Sequence, residues 1–268
     1  MNFAIYRRYD TDIVENIVKM LPKGSRTVVF CAPTDNADYG EGTEKVFFPE
    51  DIDINTTRAR NWIIEWARKN IGKGYLHVIE DAVKIDKDPA KMVADVEKLM
   101  DIFSLDTWFN TFLDPMNFVF SKYNPIFSLK MDEEGYKDIF DGSISYCTNA
   151  NTCWIAYNLE SCPGNLAFDE RFSVPMYFIV EFMARRRNSK VPGSINYMNA
   201  YPTVSSEIEV LSLLPVKEKK VSKEEFMENH KLFSSLNVQK DPDIDVEKIL
   251  MDTVAVLRGK VESPKSAS

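Results

Sequence analysis

One stretch, residues 55–85, constrains the fold of this 268-residue chain more than any other. In its first half, apolar residues recur on one stripe opposite charged residues, which predicts an amphipathic helix. After a glycine-containing turn, the apolar run at residues 75–79 predicts a buried strand. Glu80 and Asp81 follow this strand directly. Because open α/β sheets bind ligands outside the carboxyl ends of their strands, these two acids are the first candidates for a functional site.

The N-terminal part of the chain predicts a β-α-β unit. Residues 3–6 and 27–31 are short apolar runs of the kind that form buried strands. Between them, apolar residues at helical spacing predict a helix that begins at Asp10 or Thr11. Residues 32–42 are rich in Pro, Asp, Asn and Gly and predict a loop. A strand, a helix and a second strand in this order imply a parallel sheet with a right-handed crossover.

The middle of the chain mixes strand signals with an aromatic segment. Residues 143–147 and 152–157 predict two strands around a turn signal at residues 149–151, and residues 205–214 predict a final strand. The segment from 103 to 127 is dense in aromatic residues. The favoured interpretation is core packing under a long connection. The alternative is a platform on which the sugar or base of an acceptor stacks.

Composition restricts the class of protein. The net charge is −8 and 44% of the residues are hydrophobic, which is enough to form a sizeable core and excludes a disordered class. The length suits one large α/β domain, with or without a C-terminal appendage. The acidic balance argues against broad, non-specific nucleic-acid binding, although a local basic patch stays compatible with it.

The same considerations bear on compartment and on domain organisation. No apolar run approaches the roughly 20 residues of a membrane span, and no signal-peptide pattern opens the sequence. The four cysteines lack C-x-x-C spacing, so we expect reduced thiols in a cytoplasmic protein. We predict a catalytic domain over residues 1–214, a helical appendage over 215–260 and a disordered tail over 261–268. The two appendage helices are expected to pack on the catalytic domain or to mediate homo-oligomer formation.

Two segments carry a resemblance to a known family. Residues 55–83 resemble the part of GT-A-type glycosyltransferases in which an Ala-Arg-Asn helix leads into a buried strand that ends in an acidic motif of the DxD type. The run Phe-Asp-Glu-Arg-Phe at 168–172, followed by Glu-Phe-Met-Ala-Arg at 181–185, resembles the family's FDExF loop and the helix after it. Together with the N-terminal strands, the resemblance extends over residues 1–200.

The resemblance implies a fold and a donor site. The implied fold is a GT-A-like, Rossmann-like α/β fold with a mostly parallel central sheet flanked by helices, and the implied donor is a UDP-sugar. In this family the helix arginine helps to hold the diphosphate, which is Arg60 here. The acids at the strand end bind the ribose and a divalent metal, Mg²⁺ or Mn²⁺. The matching residues are Glu80 and Asp81, with Asp81 as the metal ligand.

The resemblance also implies that the loops after the first two strands hold the nucleoside. Arg7, Arg8 and Asp35 are the candidates on these loops. The alternative is that the two arginines are solvated charges at a strand end and that Asp35 forms a turn. Arg185 begins a run of three arginines that is either a phosphate clamp or a helix C-terminus favoured by the helix dipole.

The sequence departs from the family pattern at both motifs. Ala82 stands where the family usually has the metal-binding acid, and Phe178 and Ile179 replace the Glu-Asp pair that supplies the base of inverting members. The acids left in the matching motifs are Asp169, Glu170 and Glu181. We rank the two loop acids first as catalytic base, because positioned catalytic groups are often found on loops. Glu181 is ranked as a support, since its spacing to Arg185 is also typical of a helical ion pair.

The function predicted from these features is transfer of a sugar, glucose by preference, from a UDP-sugar to a hydroxyl acceptor. The acceptor is either a glycan or a hydroxymethylated or already glucosylated DNA base, as for the compact DNA-glucosylating enzymes of bacteriophages. The alternative from a different class is a non-catalytic nucleotide-sugar-binding protein on a degenerate GT-A scaffold. An α/β-hydrolase is disfavoured because the sequence lacks a G-x-S-x-G element.

Overall fold

The computed structural model of the protein describes residues 1–9, 11–110, 125–147, 151–160, 168–174, 177, 181–182, 201–204, 206, 210–213, 221–236 and 246–262. The strands are β1 (Asn2–Tyr6), β2 (Arg26–Cys31), β3 (Thr43–Phe47), β4 (Tyr75–Glu80), β5 (Val83–Ile85), β6 (Thr107–Asn110), β7 (Pro125–Lys130), β8 (Ser143–Cys147), β9 (Asn151–Asn158), β10 (Tyr201–Val204) and β11 (Leu211–Leu213). The helices with described bounds are α1 (Thr11–Met20), α2 (Thr57–Asn70), α3 (Ala90–Ile102), α4 (Lys223–Ser235) and α5 (Val246–Glu262).

The central sheet has six strands in the order β3-β2-β1-β4-β9-β6. The first four strands are parallel to one another, whereas β9 is antiparallel to both β4 and β6. The predicted α/β class with a mostly parallel central sheet is therefore confirmed, and the antiparallel β9 makes the sheet a mixed one. The strand predicted at residues 75–79 is interior, as expected, because β4 pairs with β1 on one side and with β9 on the other.

Helices cover both faces of this sheet, which explains why β1, β2 and β4 are almost continuously buried. One core lies between the sheet and the helices α1, α3 and α5, and includes Val14, Ile17, Val93, Val96, Ile249 and Leu257. The other core lies on the opposite face under α2 and the loop at 168–172, and includes Ala59, Ile63, Phe168 and Phe172. The sheet thus separates two hydrophobic layers.

Helix α2 buries polar side chains together with apolar ones. Ile63 and Ala67 lie on its buried face, as the apolar stripe predicts, and so do Arg60 and Asn61. Trp62 packs edge-on against Phe30 of β2, with the ring centroids 5.9 Å apart. A buried arginine or asparagine needs polar partners, so polar groups must gather on the side of α2 that faces the sheet. That side is therefore a candidate region for a functional site.

The strands predicted at residues 143–147 and 152–157 both form, but they do not pair with each other. β8 pairs with β7 and β10 in a three-stranded sheet, whereas β9 lies in the central sheet between β4 and β6. The described side chains of β9 from 152 to 157 are all buried, which suits an interior strand. The strand predicted at 205–214 is shorter than expected, since β11 comprises only Leu211–Leu213.

The two C-terminal helices pack on opposite faces of the central sheet. On α4, the Asn229 Oδ1 accepts hydrogen bonds from the backbone N–H groups of Ser173 and Val174, at 3.0 and 3.2 Å. On α5, the Thr253 hydroxyl bonds the Tyr146 hydroxyl at 2.5 Å. Packing on the main domain, one of the two expected arrangements, is therefore present. α5 continues to Glu262, two residues into the segment predicted as a tail.

Among the helices that the structure describes, none is long and apolar enough to cross a membrane.

A buried histidine on β4 gives the fold a pH dependence. The indole N–H of Trp154 donates to His77 Nδ1 at 3.1 Å, so the imidazole proton lies on Nε2, which is 3.2 Å from Glu97 Oε1. Burial lowers the pKa of His77 below its ordinary value of 6.5, against the opposing hydrogen bond and charge of Glu97. The neutral imidazole is therefore the form that fits the folded protein.

We expect the protein to lose about 1 kcal/mol of stability between pH 7.5 and pH 5.5 through His77. The reason is that the unfolded chain takes up a proton as the pH falls below 6.5, whereas the folded chain resists it. Urea unfolding at the two pH values measures this loss, and His77→Gln should reduce it. An equal loss in wild type and variant would show that other groups are responsible.

Candidate functional site

The carboxyl ends of β1 and β4 meet at the point where the strand order reverses. The chain passes from β1 through α1 to β2 on one side, and later returns through α2 to β4 on the other side of β1. In open α/β sheets, this reversal opens a crevice in which ligands bind. The residues that follow β1, including Arg7 and Arg8, are thereby brought next to Glu80 and Asp81 at the end of β4.

Glu80 holds two of the predicted donor-site arginines together. Its Oε2 lies 2.8 Å from Arg8 Nη1, and its Oε1 accepts from Arg60 Nε at 3.1 Å and from Arg60 Nη2 at 2.5 Å. The side chains of Glu80 and Arg60 are 4% and 6% exposed, while that of Arg8 is 13% exposed. Arg60 is thus the inner arginine of the cluster and Arg8 the outer one.

The charges in this cluster keep one another ionised. Burial alone raises the pKa of Glu80, but the guanidinium groups of Arg60 and Arg8 outweigh it and lower the pKa below its usual range. Burial lowers the pKa of Arg8, yet the Glu80 carboxylate brings the net shift of that pKa upward. Two guanidinium groups face the Glu80 carboxylate, and their fork-shaped sets of donors are the kind that suits an anionic ligand.

The aromatic ring of Tyr6, the last residue of β1, lies close to both arginines. The guanidinium carbons of Arg60 and Arg8 lie 5.4 and 5.6 Å from the ring centroid, a distance at which cation–π attraction operates. The Tyr6 hydroxyl donates to the carbonyl of Ile54, and burial raises the pKa of Tyr6 to about 12. Tyr6 therefore stays neutral and orients the arginines without adding a charge.

Asp81 organises the loop that follows β1. Its Oδ2 accepts the backbone N–H groups of Arg8 and Tyr9 at 2.9 and 2.5 Å, and its own N–H donates to the Tyr6 carbonyl at 3.3 Å. The residue is 0% exposed. Glu80, the last residue of β4, bonds the side chains of Arg60 and Arg8, whereas Asp81, the residue after the strand, bonds the backbone of the β1 loop.

These donors do not fit a divalent metal site. Mg²⁺ and Mn²⁺ prefer several oxygen ligands, usually carboxylates together with water and phosphate. Asp81 is fully buried and bonded to two backbone N–H groups, and Ala82 supplies no oxygen at the next position. Within the described ranges, no group of three His, Cys, Asp or Glu residues comes together in a geometry that could hold a metal.

A second charged cluster follows β2. The carboxylate of Asp35 pairs with Arg7 Nε at 2.9 Å and Lys45 Nζ at 3.3 Å, and it accepts the Tyr39 hydroxyl at 2.7 Å and the Ala37 N–H at 2.8 Å. Burial raises the pKa of Asp35, but these hydrogen bonds and charges lower it overall. Asp35 is thus a turn former that also anchors Arg7.

Lys45 is a residue that the sequence argument missed. Its Nζ donates to the carbonyls of Asp35 and Ala37 at 2.6 and 2.8 Å, so it fastens the loop at 32–42 to β3. One basic residue on a short edge strand gives no signal in the sequence. Its importance follows from the register, which sets Lys45 beside Val29, two residues before the end of β2.

The two sequence segments that carry the family resemblance come together in the structure. Asn61 of α2 donates through Nδ2 to the Phe168 carbonyl at 2.9 Å and to Glu170 Oε1 at 3.0 Å, and its Oδ1 accepts the Phe168 N–H at 2.8 Å. The Thr57 hydroxyl donates to the Phe172 carbonyl at 2.7 Å. The loop at 168–172 is therefore fixed to the same helix that carries Arg60.

The three candidate bases differ in their surroundings. Asp169 is paired with Arg171, whose Nη2 and Nε lie 2.6 and 2.9 Å from its two oxygens. Glu181 is buried. Glu170 is exposed while one of its oxygens is held by Asn61. A base must reach the acceptor and be free to take its proton, so Glu170 fits this role best of the three.

Some predicted features lie outside the described residues. These are Arg185 with the rest of its arginine run, the substituted positions Phe178 and Ile179, and the aromatic residues between 111 and 124. In the described part of the aromatic segment, Phe103, Trp108 and Phe109 are buried. For these three rings the packing interpretation is confirmed.

A scan against protein-family models finds no matching family, and a search of the curated proteins finds no match. Inferences about function therefore rest on the sequence motifs and on the geometry described above.

Proposed function

We propose that the protein is a GT-A-type glycosyltransferase that moves a sugar, by preference glucose, from a UDP-sugar to a hydroxyl acceptor. The observation that carries the proposal is the double attachment of α2. Arg60 of α2 bonds Glu80, which also bonds Arg8 of the β1 loop. Asn61 of α2 bonds Glu170. A cationic cluster at the crevice between β1 and β4 and an exposed carboxylate are thus bonded to adjacent residues of one helix.

The cationic cluster is the proposed site of the donor diphosphate. Sugar transfer leaves negative charge on the β-phosphate oxygen of UDP, and guanidinium groups stabilise such charge by bidentate hydrogen bonds. Arg8 and Arg7, whose side chains are 13% and 23% exposed, are the groups that contact the diphosphate. Arg60 and Glu80 are more buried than Arg8 and act as positioning residues. The charge is therefore supplied by side chains, and no step is assigned to a metal.

Glu170 is the proposed general base. It removes the proton of the acceptor hydroxyl, whose oxygen attacks the anomeric carbon of the sugar as the bond to the UDP oxygen breaks. The electron pair of that bond leaves with UDP, and the proton stays on Glu170 until solvent removes it. Attack from the side opposite to UDP inverts the anomeric carbon, and base catalysis of this kind contributes about 10² to 10⁴ in rate.

The acceptor remains one of two classes. A glycan hydroxyl is compatible with the net charge of −8, whereas a hydroxymethylated or glucosylated DNA base requires a local basic surface against that charge. Duplex DNA containing 5-hydroxymethylcytosine and a panel of soluble oligosaccharides, each offered with UDP-glucose, distinguish these acceptors by incorporation of labelled sugar.

A second candidate function is nucleotide-sugar binding without catalysis. Glu80 already neutralises much of the charge on Arg8 and Arg60. Ala82 occupies the position of the acidic motif where the family usually has the metal-binding acid. Both features favour a protein that binds the donor without catalysis. Calorimetry with UDP-glucose and with UDP measures binding directly. Donor binding without any turnover would support the binder over the enzyme.

We expect the protein to hydrolyse UDP-glucose slowly to glucose and UDP, and to do so at a similar rate in EDTA. Water takes the place of the acceptor in this test, and arginines rather than a metal stabilise the leaving UDP. Release of UDP with and without Mg²⁺ or Mn²⁺ is the measurement, run beside a panel of other nucleotide sugars. Absence of turnover with every donor would contradict the enzyme proposal, and turnover abolished by EDTA would contradict the metal-free donor site.

We expect Asp81→Asn to weaken UDP-glucose binding or turnover by at least about tenfold, equivalent to about 1.4 kcal/mol. The reason is that Asp81 holds the backbone of the loop that presents Arg8, and an amide binds those two N–H groups less strongly than a carboxylate does. Calorimetry and donor turnover measure the loss. Asp132→Asn makes the same chemical change on an exposed residue of the turn between β7 and β8 and serves as the control. Unchanged binding and turnover in Asp81→Asn would remove Asp81 from the donor site.

A further inference from the structure

The side chain of Asn61 is almost fully buried at 4% exposure, and both ends of its amide are engaged by the loop at 168–172. Its Oδ1 accepts the Phe168 N–H, which leaves Nδ2 facing the Phe168 carbonyl and Glu170 Oε1. The backbone pair determines the orientation of the amide. The remaining N–H then points at a carboxylate 109 residues away in the sequence.

We propose that Asn61 is a positioning residue that holds the Glu170 carboxylate in the orientation needed to deprotonate the acceptor. This inference rests on the proposed function and adds a residue to it. Because Asn61 binds Oε1, the acceptor proton is received at Oε2. Asn61 contacts neither donor nor acceptor and acts on the reaction only through Glu170.

The energetic reason is the mobility of an exposed glutamate. A glutamate side chain has several rotatable bonds, and an exposed one samples many rotamers in the absence of a partner. A catalytic group displaced by about 1 Å can lose about 10² in rate. One hydrogen bond from a buried amide, itself fixed by two backbone bonds, removes most of that freedom.

Asn61 also sets Glu170 relative to the donor. It follows Arg60 in the same rigid helix, and Arg60 is bonded to Glu80 of the central sheet. The separation between the arginine cluster and the base is therefore determined by two consecutive residues of α2 rather than by a flexible connection.

The test compares Asn61→Ala with Thr57→Val in UDP-glucose hydrolysis. Thr57→Val removes the other side-chain bond from α2 to this loop, the one to the Phe172 carbonyl, without touching Glu170. We expect Asn61→Ala to lower kcat about 10- to 100-fold with the KM for UDP-glucose changed less than about threefold, and Thr57→Val to lower kcat less than about threefold. In a Glu170→Ala background, Asn61→Ala should cause little further loss, because its effect runs through Glu170.

Asn61→Asp tests the contact with Glu170 by introducing a negative charge at residue 61. It keeps the oxygen that accepts the Phe168 N–H and places a second carboxylate against Glu170 Oε1. The charged groups already near this loop are Asp169 and Arg171 on the loop itself, with Glu181 acting on Arg171. We expect the acidic limb of the pH–rate profile to move upward by about one pH unit, as like charges require. An unmoved limb would show that the group titrating in the rate profile is not the carboxylate next to residue 61.

A measurement without turnover completes the test. The mobility of the Glu170 side chain, followed by NMR relaxation of its methylene groups, should rise in Asn61→Ala and stay unchanged in Thr57→Val. Unchanged mobility in Asn61→Ala overturns the positioning of Glu170 whether or not the protein is an enzyme. Wild-type kcat in both Asn61→Ala and Asn61→Asp overturns it while leaving the proposed function intact. If Asn61→Ala does not fold, Asn61→Ser takes its place in the same comparison.

Discussion

Glu170→Ala is expected to slow sugar transfer by about 10² to 10⁴, the usual effect of removing a general base. The affinity for UDP-glucose should survive, because Glu170 lies on the loop held by Asn61 and not in the arginine cluster. Single-turnover kinetics measure the chemical step, and calorimetry measures donor binding. The combination of lost rate and retained binding is the signature of a group that acts only in the transition state.

Two further variants make this result specific. Glu133→Ala removes an exposed acid whose carboxylate pairs with Lys130, and it should transfer sugar at the wild-type rate. Asp169→Ala tests the neighbouring loop acid, which the structure pairs with Arg171 and which we therefore expect to matter less. A large loss at Asp169 with none at Glu170 would move the base to Asp169. If both variants react at wild-type rates, the anomeric configuration of the product, read by NMR, shows whether the enzyme retains configuration and needs no such base.

The second large effect is on stability. Glu80→Ala is expected to lower the free energy of unfolding by about 3 to 5 kcal/mol, because it removes the carboxylate partner of a buried guanidinium. Arg60 is only 6% exposed and makes two hydrogen bonds to Glu80. Urea unfolding followed by circular dichroism is the measurement. A loss below about 1 kcal/mol would show that solvent reaches Arg60 and compensates for the missing partner.

A matched control is an exposed ion pair of the same helix, outside the Glu80 cluster. Arg58 of α2 pairs with Asp51 at 2.7 Å, with both side chains at least half exposed, at 50% and 67%. Asp51→Ala removes the acid partner of this exposed arginine and should therefore cost at most about 1 kcal/mol, as exposed ion pairs do. The contrast between Asp51→Ala and Glu80→Ala isolates burial as the cause.

The Glu80 pair also carries a pH signature. Because the folded pKa of Glu80 lies below its ordinary value of 4.5, the pair contributes its full stability above pH 4.5. That contribution is lost as the pH falls from 4.5 through the folded pKa. Glu80→Gln, which cannot titrate, should show a smaller loss of stability over this acidic range.

Local patterns in the sequence were sufficient to predict several elements of this protein. The burial of β4, the helix before it and the acids after it follow from periodicity and from turn residues within residues 55–85. These features depend on neighbours in the chain, so a single sequence contains them.

The partners of the site residues depended on the tertiary structure. Arg60, Glu80 and Arg8 were each predicted to contact a ligand, whereas the structure first pairs them with one another. The contact between Asn61 and Glu170 spans 109 residues, and no spacing rule reaches that far. The placement of β9 between β4 and β6, away from β8, likewise arises from burial on both faces of the central sheet. The chain by itself determined which residues are helical, buried or acidic at a strand end, because those properties are local. Only the folded sheet decided which charge faces which, because ion pairs and buried hydrogen bonds form between segments that packing brings together.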